Sequence, residues 1–167
     1  MTPNEVAQQA GPLSRDQIVA LPQPMAPIAN FVSAVRVGDL LFVSGQGPID
    51  TGSGRRVSGK VGGSVSIEEA FSAARLAGLN ALAVLRDQLG SLDRVGRVAK
   101  LFVTVNAAPG FTEMSQVADG CSDLLVEVFG DAGKHARTAV GVAELPFDLC
   151  LELDLVVTVN GDGPAAA

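Results

Sequence analysis

The stretch "KHARTAVGVAELPFDLCLELDLVV" (Lys134–Val157) carries most of the information about the fold. In its second half Leu149, Leu151, Leu153, Leu155 and Val157 recur at every second position, and Val159 continues the series. Cys150, Glu152 and Asp154 fill the intervening places. A period of two describes a strand with one face buried, so a strand is expected from about Leu149 to Val159. A second strand is expected from about Ala136 to Glu144, with the break around Pro146. The two are expected to pair as an antiparallel hairpin. Symmetric pairing about residues 145–148 sets Arg137 opposite Val156 and on the same face as Glu152. The two charges would then be displaced along the strands by about 13 Å, at about 3.3 Å per residue, too far for a salt bridge but wide enough for a small molecule.

Working outward, "SIEEAFSAARLAGLNALAVLRDQLG" (Ser66–Gly90) predicts a long helix. Ser66 and Glu69 have capping-box spacing, Phe71, Leu79, Leu82 and Leu89 recur at helical intervals, and Gly90 suits the stop. "TEMSQVADGCSDLLVEVFG" (Thr112–Gly130) predicts a second helix with Val117, Cys121, Leu124 and Val128 as its buried stripe. "DRVGRVAKLFVTVNA" (Asp93–Ala107) reads as a strand, and "FVSAVRVGDLLFVSGQ" (Phe31–Gln46) as two strands across a Gly38-Asp39 turn. The leucine face of the last strand needs the helices as cover. The expectation is an α+β domain, a mixed sheet with two helices packed on one face.

One domain fits 167 residues. Residues 1–26, with prolines at 3, 12, 22 and 24, read as an N-terminal arm in which Leu13–Leu21 could form a short helix from a Ser14 cap. Residues 27–160 form the domain and 161–167 a disordered tail. With 47% hydrophobic and 18% charged residues, and no apolar run of spanning length, the chain reads as soluble. Met1–Pro12 carries no signal-peptide pattern, so a cytoplasmic location is expected. Cys121 and Cys150 lack metal-type spacing and read as buried thiols, and no metal or cofactor is expected. Twelve basic against eighteen acidic residues give a net charge of −6, the wrong sign for a nucleic-acid binder. A small molecule is the expected partner.

"GRRVSGKV" (Gly54–Val61) has the spacing of a phosphate-binding loop, but Val61 stands where a hydroxyl would hold magnesium, and it reads instead as a mobile loop. His135, the only histidine, has no recognisable nucleophile beside it and reads as structural. Ser44 has no identifiable base, and with Gly45 it reads as a place of close ligand approach. For Arg137 and Glu152 the residues alone leave two readings open, solvent-facing charges or paired functional groups.

The segments "FVSGQGP", "SIEEAFSAARLAGLNALAVL", "LGSLDRVGRV", "VNAAPGF", "SDLLVEVFGDAGKHARTAVGVAELP" and "LELD" together resemble the RidA (YjgF) family over about Pro27 to Val159. They look most like its longer, chorismate-mutase-like branch, often labelled endoribonuclease L-PSP. The resemblance implies a homotrimer whose sheets form a central barrel, with a ligand cleft between neighbours. It implies hydrolysis of enamines and imines such as 2-aminoacrylate to a 2-keto acid and ammonia. Arg137 matches the arginine that binds the substrate carboxylate, and Glu152 the carboxylate that activates water. Ser44 and Gly45 match the pocket-lining "SGQ". Phe31 stands where the deaminases commonly have tyrosine, and Ala139 and Val140 follow "ART" where a cysteine can sit. The alternative implied is a catalytically silent trimer that binds a small carboxylate. An endoribonuclease activity is disfavoured by the acidic composition.

Overall fold

The computed structural model describes residues 13–161. The expectations for residues 1–12 and for the tail at 162–167 lie outside them. Seven main elements follow in order: β1 (Ala34–Val37), β2 (Leu40–Gln46), α1 (Ile67–Leu89), β3 (Val95–Asn106), α2 (Met114–Phe129), β4 (Ala136–Val142) and β5 (Leu151–Val159). They make one five-stranded mixed sheet with both helices on one face, as the sequence leads one to expect.

Local chemistry sets the helix ends where the sequence places them. Ser66 Oγ accepts from the Glu69 amide at 3.2 Å, Glu69 Oε2 accepts from the Ser66 amide at 2.9 Å, and Gly90 ends α1 at φ 81°. In α2 the stripe Val117, Cys121, Leu124 and Val128 is buried, and the helix stops at Gly130. The helices touch closely because small residues face each other. A Cβ on Gly120 would lie 2.0 Å from the Phe71 carbonyl oxygen, so only glycine lets the two backbones meet there.

The sheet order is β1-β2-β5-β3-β4, which corrects the expected final hairpin. β5 does not pair with β4. It pairs antiparallel with both β2 and β3, while β4 runs parallel to β3 at the edge. The reason is burial: Leu151, Leu153, Leu155, Val157 and Val159 are all at most 5% exposed, so β5 belongs at the centre. β4, with no fully buried residue, takes an edge. The turn between them is no tight hairpin loop either. It contains a 3₁₀ turn, Pro146–Asp148, in which Phe147 (φ 57°) and Asp148 (φ 54°) are left-handed.

The pairing also overturns the shared face of Arg137 and Glu152. Arg137 lies across from Leu101, and Leu101 across from Leu155, so Arg137 is on the helix-covered face. Glu152 lies across from Thr104, on the open face. Within one chain the two charges point to opposite sides of the sheet.

The remaining segments are tied to the body. The arm forms a single 3₁₀ turn, Arg15–Gln17, rather than a helix over 13–21, because it is held from outside. The Arg15 guanidinium donates to Val95 O at 2.6 Å, and Asp16 accepts from Ser91 Oγ at 2.5 Å. The loop at 54–61 is pinned where the sequence suggested mobility. Lys60 Nζ donates to Asn106 Oδ1 at 2.8 Å and to the Ala143 carbonyl, so its ammonium is spent on structure.

Candidate functional site

Glu152 reaches the open face at a fault in the β2–β5 ladder. The three steps from Val43 to Gln46 face the two steps from Leu155 to Leu153, which leaves one extra residue at Ser44-Gly45, a β-bulge. The glycine there is a requirement. A Cβ on Gly45 would stand 2.2 Å from Glu152 Oε1, so the carboxylate lies directly on the Gly45 backbone. Thr104 Oγ1 holds the Glu152 main chain by donating to its carbonyl at 3.1 Å. The carboxylate itself accepts no hydrogen bond among the described residues. Burial first, and Asp154 nearby second, push its pKa above the ordinary 4.5.

This carboxylate lines a cavity of about 580 Å³ together with Phe31, Ser44 and Gly45. Four of the predicted site residues therefore meet in one place. Ser44 is not a nucleophile in waiting. Its hydroxyl donates to Val32 O at 2.6 Å and its amide to Ser33 O at 2.9 Å, stitching the segment around Phe31 to β2. Residues 25–29, where the arm meets the domain, supply further wall, as do Phe147 and Leu149. Among the described residues no arginine or lysine lines the cavity.

Arg137, Ala139 and Val140 are elsewhere, on edge strand β4. Ala139 packs toward the core, while Val140 points to the open face. Arg137 is fixed against α2: Nη1 donates to Asp119 Oδ1 at 2.6 Å and to Ser122 Oγ at 3.0 Å, and Nη2 to Ser115 Oγ at 2.7 Å. These bonds use three of five donors, and Nε–H and one Nη2–H have no partner among the described residues. His135 supports the same cluster. Its Nδ1 lies 2.6 Å from the Gly133 carbonyl, which can only accept, so Nδ1 carries the proton and Nε2 accepts from Ser122 Oγ at 3.1 Å. Burial, and less strongly Arg137, lowers the His135 pKa from 6.5 and keeps the ring neutral. The histidine is thus structural, as its sequence context suggests.

Among the cavity-wall residues that sequence reasoning missed are Asn80 and Phe147. Asn80 is a polar residue in the buried face of α1, which is the signal that could have exposed it. Its Nδ2 donates to Gly47 O at 3.0 Å and Ile49 O at 2.9 Å. Phe147 carries no sequence signal, because its left-handed backbone depends on distant contacts. Among the described residues no cluster of His, Cys, Asp or Glu could hold a metal ion, and no helix is long and apolar enough to cross a membrane. Both cysteines are buried, with their thiols pushed up to about 12 by desolvation.

The family model described as "YjgF/chorismate mutase-like, putative endoribonuclease" matches residues 15–157. The chain belongs to the RidA/YjgF family. Among RidA/YjgF relatives, Protein TCP17 of Trypanosoma cruzi is 47% identical over 143 residues, covering 85% of this chain and 89% of that protein. A RutC family protein of Pyrococcus abyssi is 31% identical over 132 residues, covering 78% and 87%. The crystal structure of Atu1372 from Agrobacterium tumefaciens, a protein of unknown function, superposes with a TM-score of 0.76 at 40% identity, covering 80% and 85%. The RidA/YjgF fold expected from the quoted segments is the one observed.

Proposed function

We propose that the protein is an enamine/imine deaminase that hydrolyses reactive 2-aminoacrylate-type intermediates to 2-keto acids and ammonia. The observation that carries this reading is the Glu152 carboxylate. It is half-buried, free of protein partners among the described residues, and set over a glycine on the floor of a cavity. A carboxylate so placed takes a proton from water as the oxygen attacks the imine carbon. The balance is R–C(=NH₂⁺)–COO⁻ + H₂O → R–CO–COO⁻ + NH₄⁺.

Arg137 binds the substrate carboxylate through its two remaining donors, with Asp119, Ser115 and Ser122 holding the guanidinium in place. Because Arg137 and Glu152 occupy opposite faces of one sheet, a single substrate meets both only if the arginine comes from a second copy. Edge strand β4 is suited to supply it. A homotrimer with clefts between subunits satisfies this geometry. It also covers an open sheet face that is more apolar than its polar alternation suggested: Val35 (50% exposed), Val37 (62%) and Phe42 (43%) stand on it.

The second reading is a trimer that binds a small carboxylate without turnover. Two observations favour it, the Asp119 carboxylate already seated on Arg137 and Phe31 in place of a hydroxyl-bearing residue. Ammonia release from freshly generated 2-aminoacrylate separates the readings. The expected result is acceleration by the native protein that is lost in Glu152→Gln. No acceleration by the native protein would leave the binding protein.

A further inference from the structure

We infer that the cavity around Glu152 selects imines with a bulky apolar side chain, and that Phe147 is the residue that sets this preference. The inference rests on the deaminase reading for the chemistry, but its grounds are separate. The first is the wall. Apart from Ser33, Ser44, Gln46, Asn80 and Glu152, the residues that line the cavity are apolar or glycine, with Ile28, Phe31, Ile49, Phe147 and Leu149 the bulky ones besides Met25. At about 580 Å³ it lies in the range of pockets that enclose drug-sized ligands, and the imine of 2-aminoacrylate fills only a fraction of it.

The second ground is backbone strain. Phe147 sits at φ 57°, ψ 20°, and Asp148 beside it at φ 54°. A bulky residue in this region is an outlier, and glycine would be the easier occupant. The surroundings hold the conformation in place. Asn106 Nδ2 donates to Asp148 Oδ1 at 3.0 Å, the Gly59 amide donates to Asp148 O at 2.8 Å, and the Arg56 guanidinium lies 4.7 Å over the Phe147 ring. Two segments, the loop at 54–61 and the end of β3, thus combine to keep an aromatic ring, 56% exposed, at the cavity wall. Core packing does not explain it, because the ring is not in the core.

The third ground is the sign of the polar groups. The lining holds one carboxylate, Glu152, which accepts no hydrogen bond among the described residues. Among the described residues no arginine or lysine is part of the lining, and the Arg56 guanidinium is taken up by the Phe147 ring. The cavity therefore receives the nitrogen and the apolar side chain, and the substrate carboxylate faces outward toward an arginine that is not part of it.

The experiment generates imino acids in place from alanine, leucine and phenylalanine with an amino-acid oxidase and measures kcat/KM for each with the full-length protein. The expected preference for the leucine- and phenylalanine-derived imines over the alanine-derived one is tenfold or more, on the order of what an added apolar group contributes in a fitted pocket. Phe147→Gly removes the ring while accepting the left-handed backbone, so it keeps the fold. It is expected to lower the preference by on the order of tenfold, with thermal midpoint and assembly mass retained. Equal rates for small and bulky imines, or an unchanged ratio in Phe147→Gly, would overturn the proposal. Calorimetric binding of pyruvate and 4-methyl-2-oxopentanoate separates it from the deaminase reading. If no imine is hydrolysed but the larger 2-keto acid binds at least tenfold more tightly, the side-chain selection stands in a binding protein. If the two bind alike, it falls too.

Discussion

Glu152 and Gly45 form a unit in which each residue decides what the other can do. Replacing Glu152 by Gln keeps the shape of the cavity and removes the base, so turnover should fall by on the order of 10²–10⁴ while affinity for a non-reacting 2-keto acid is kept. Steady-state kinetics and calorimetry on one preparation check this. Gly45→Ala should produce a similar loss with Glu152 untouched. The new methyl would sit 2.2 Å from Oε1, and the carboxylate is the flexible partner that moves away. Protonation adds a test of sign. Burial raises the Glu152 pKa above 4.5, so the rate should climb with pH through that raised value, and this limb should vanish in Glu152→Gln. Stability runs the other way. A raised carboxyl pKa favours folding fully below 4.5, and the contribution is lost as pH rises through the folded value. Thermal midpoints should therefore favour Glu152→Gln over the native protein more at neutral pH than in acid.

At the scale of elements, legibility followed the range of the interactions. The ends of α1 were readable because Ser66, Glu69 and Gly90 act within one turn of the residues they cap. The buried face of β5 was readable from alternation alone. Its neighbours were not, since nothing in Leu151–Val159 states which strands it pairs with, and chain proximity to β4 pointed to the wrong one. That one error carried Arg137 to the wrong face. Phe147 escaped because its strain is imposed by Asn106 and Arg56, far away in sequence. The contact between helices makes its own prediction. Gly120→Ala places a methyl against the Phe71 carbonyl oxygen, a backbone atom that cannot step aside, so α1 and α2 must separate. The cost should reach the upper end of the roughly 1–3 kcal/mol typical of overpacking, measured by urea unfolding.

For the whole molecule, the division of Arg137 and Glu152 between two faces means that the proposed reaction requires an assembly of chains. Light scattering at micromolar concentration should give a trimer. Mixed trimers refolded from Arg137→Ala and Glu152→Gln chains should recover part of the activity that each variant lacks alone, because some clefts then hold both native groups. Failure of the mixture to exceed its components would remove Arg137 from the site that holds Glu152. The sheet order has a consequence for synthesis. Of the described strands β5 is the last to leave the ribosome, yet it lies between β2 and β3. Until it emerges, the nascent chain can build only two detached ladders, β1 with β2 and β3 with β4. Vectorial folding from the N-terminus is therefore closed to this chain, and a translation product stopped before Leu151 lacks the strand that joins its two halves.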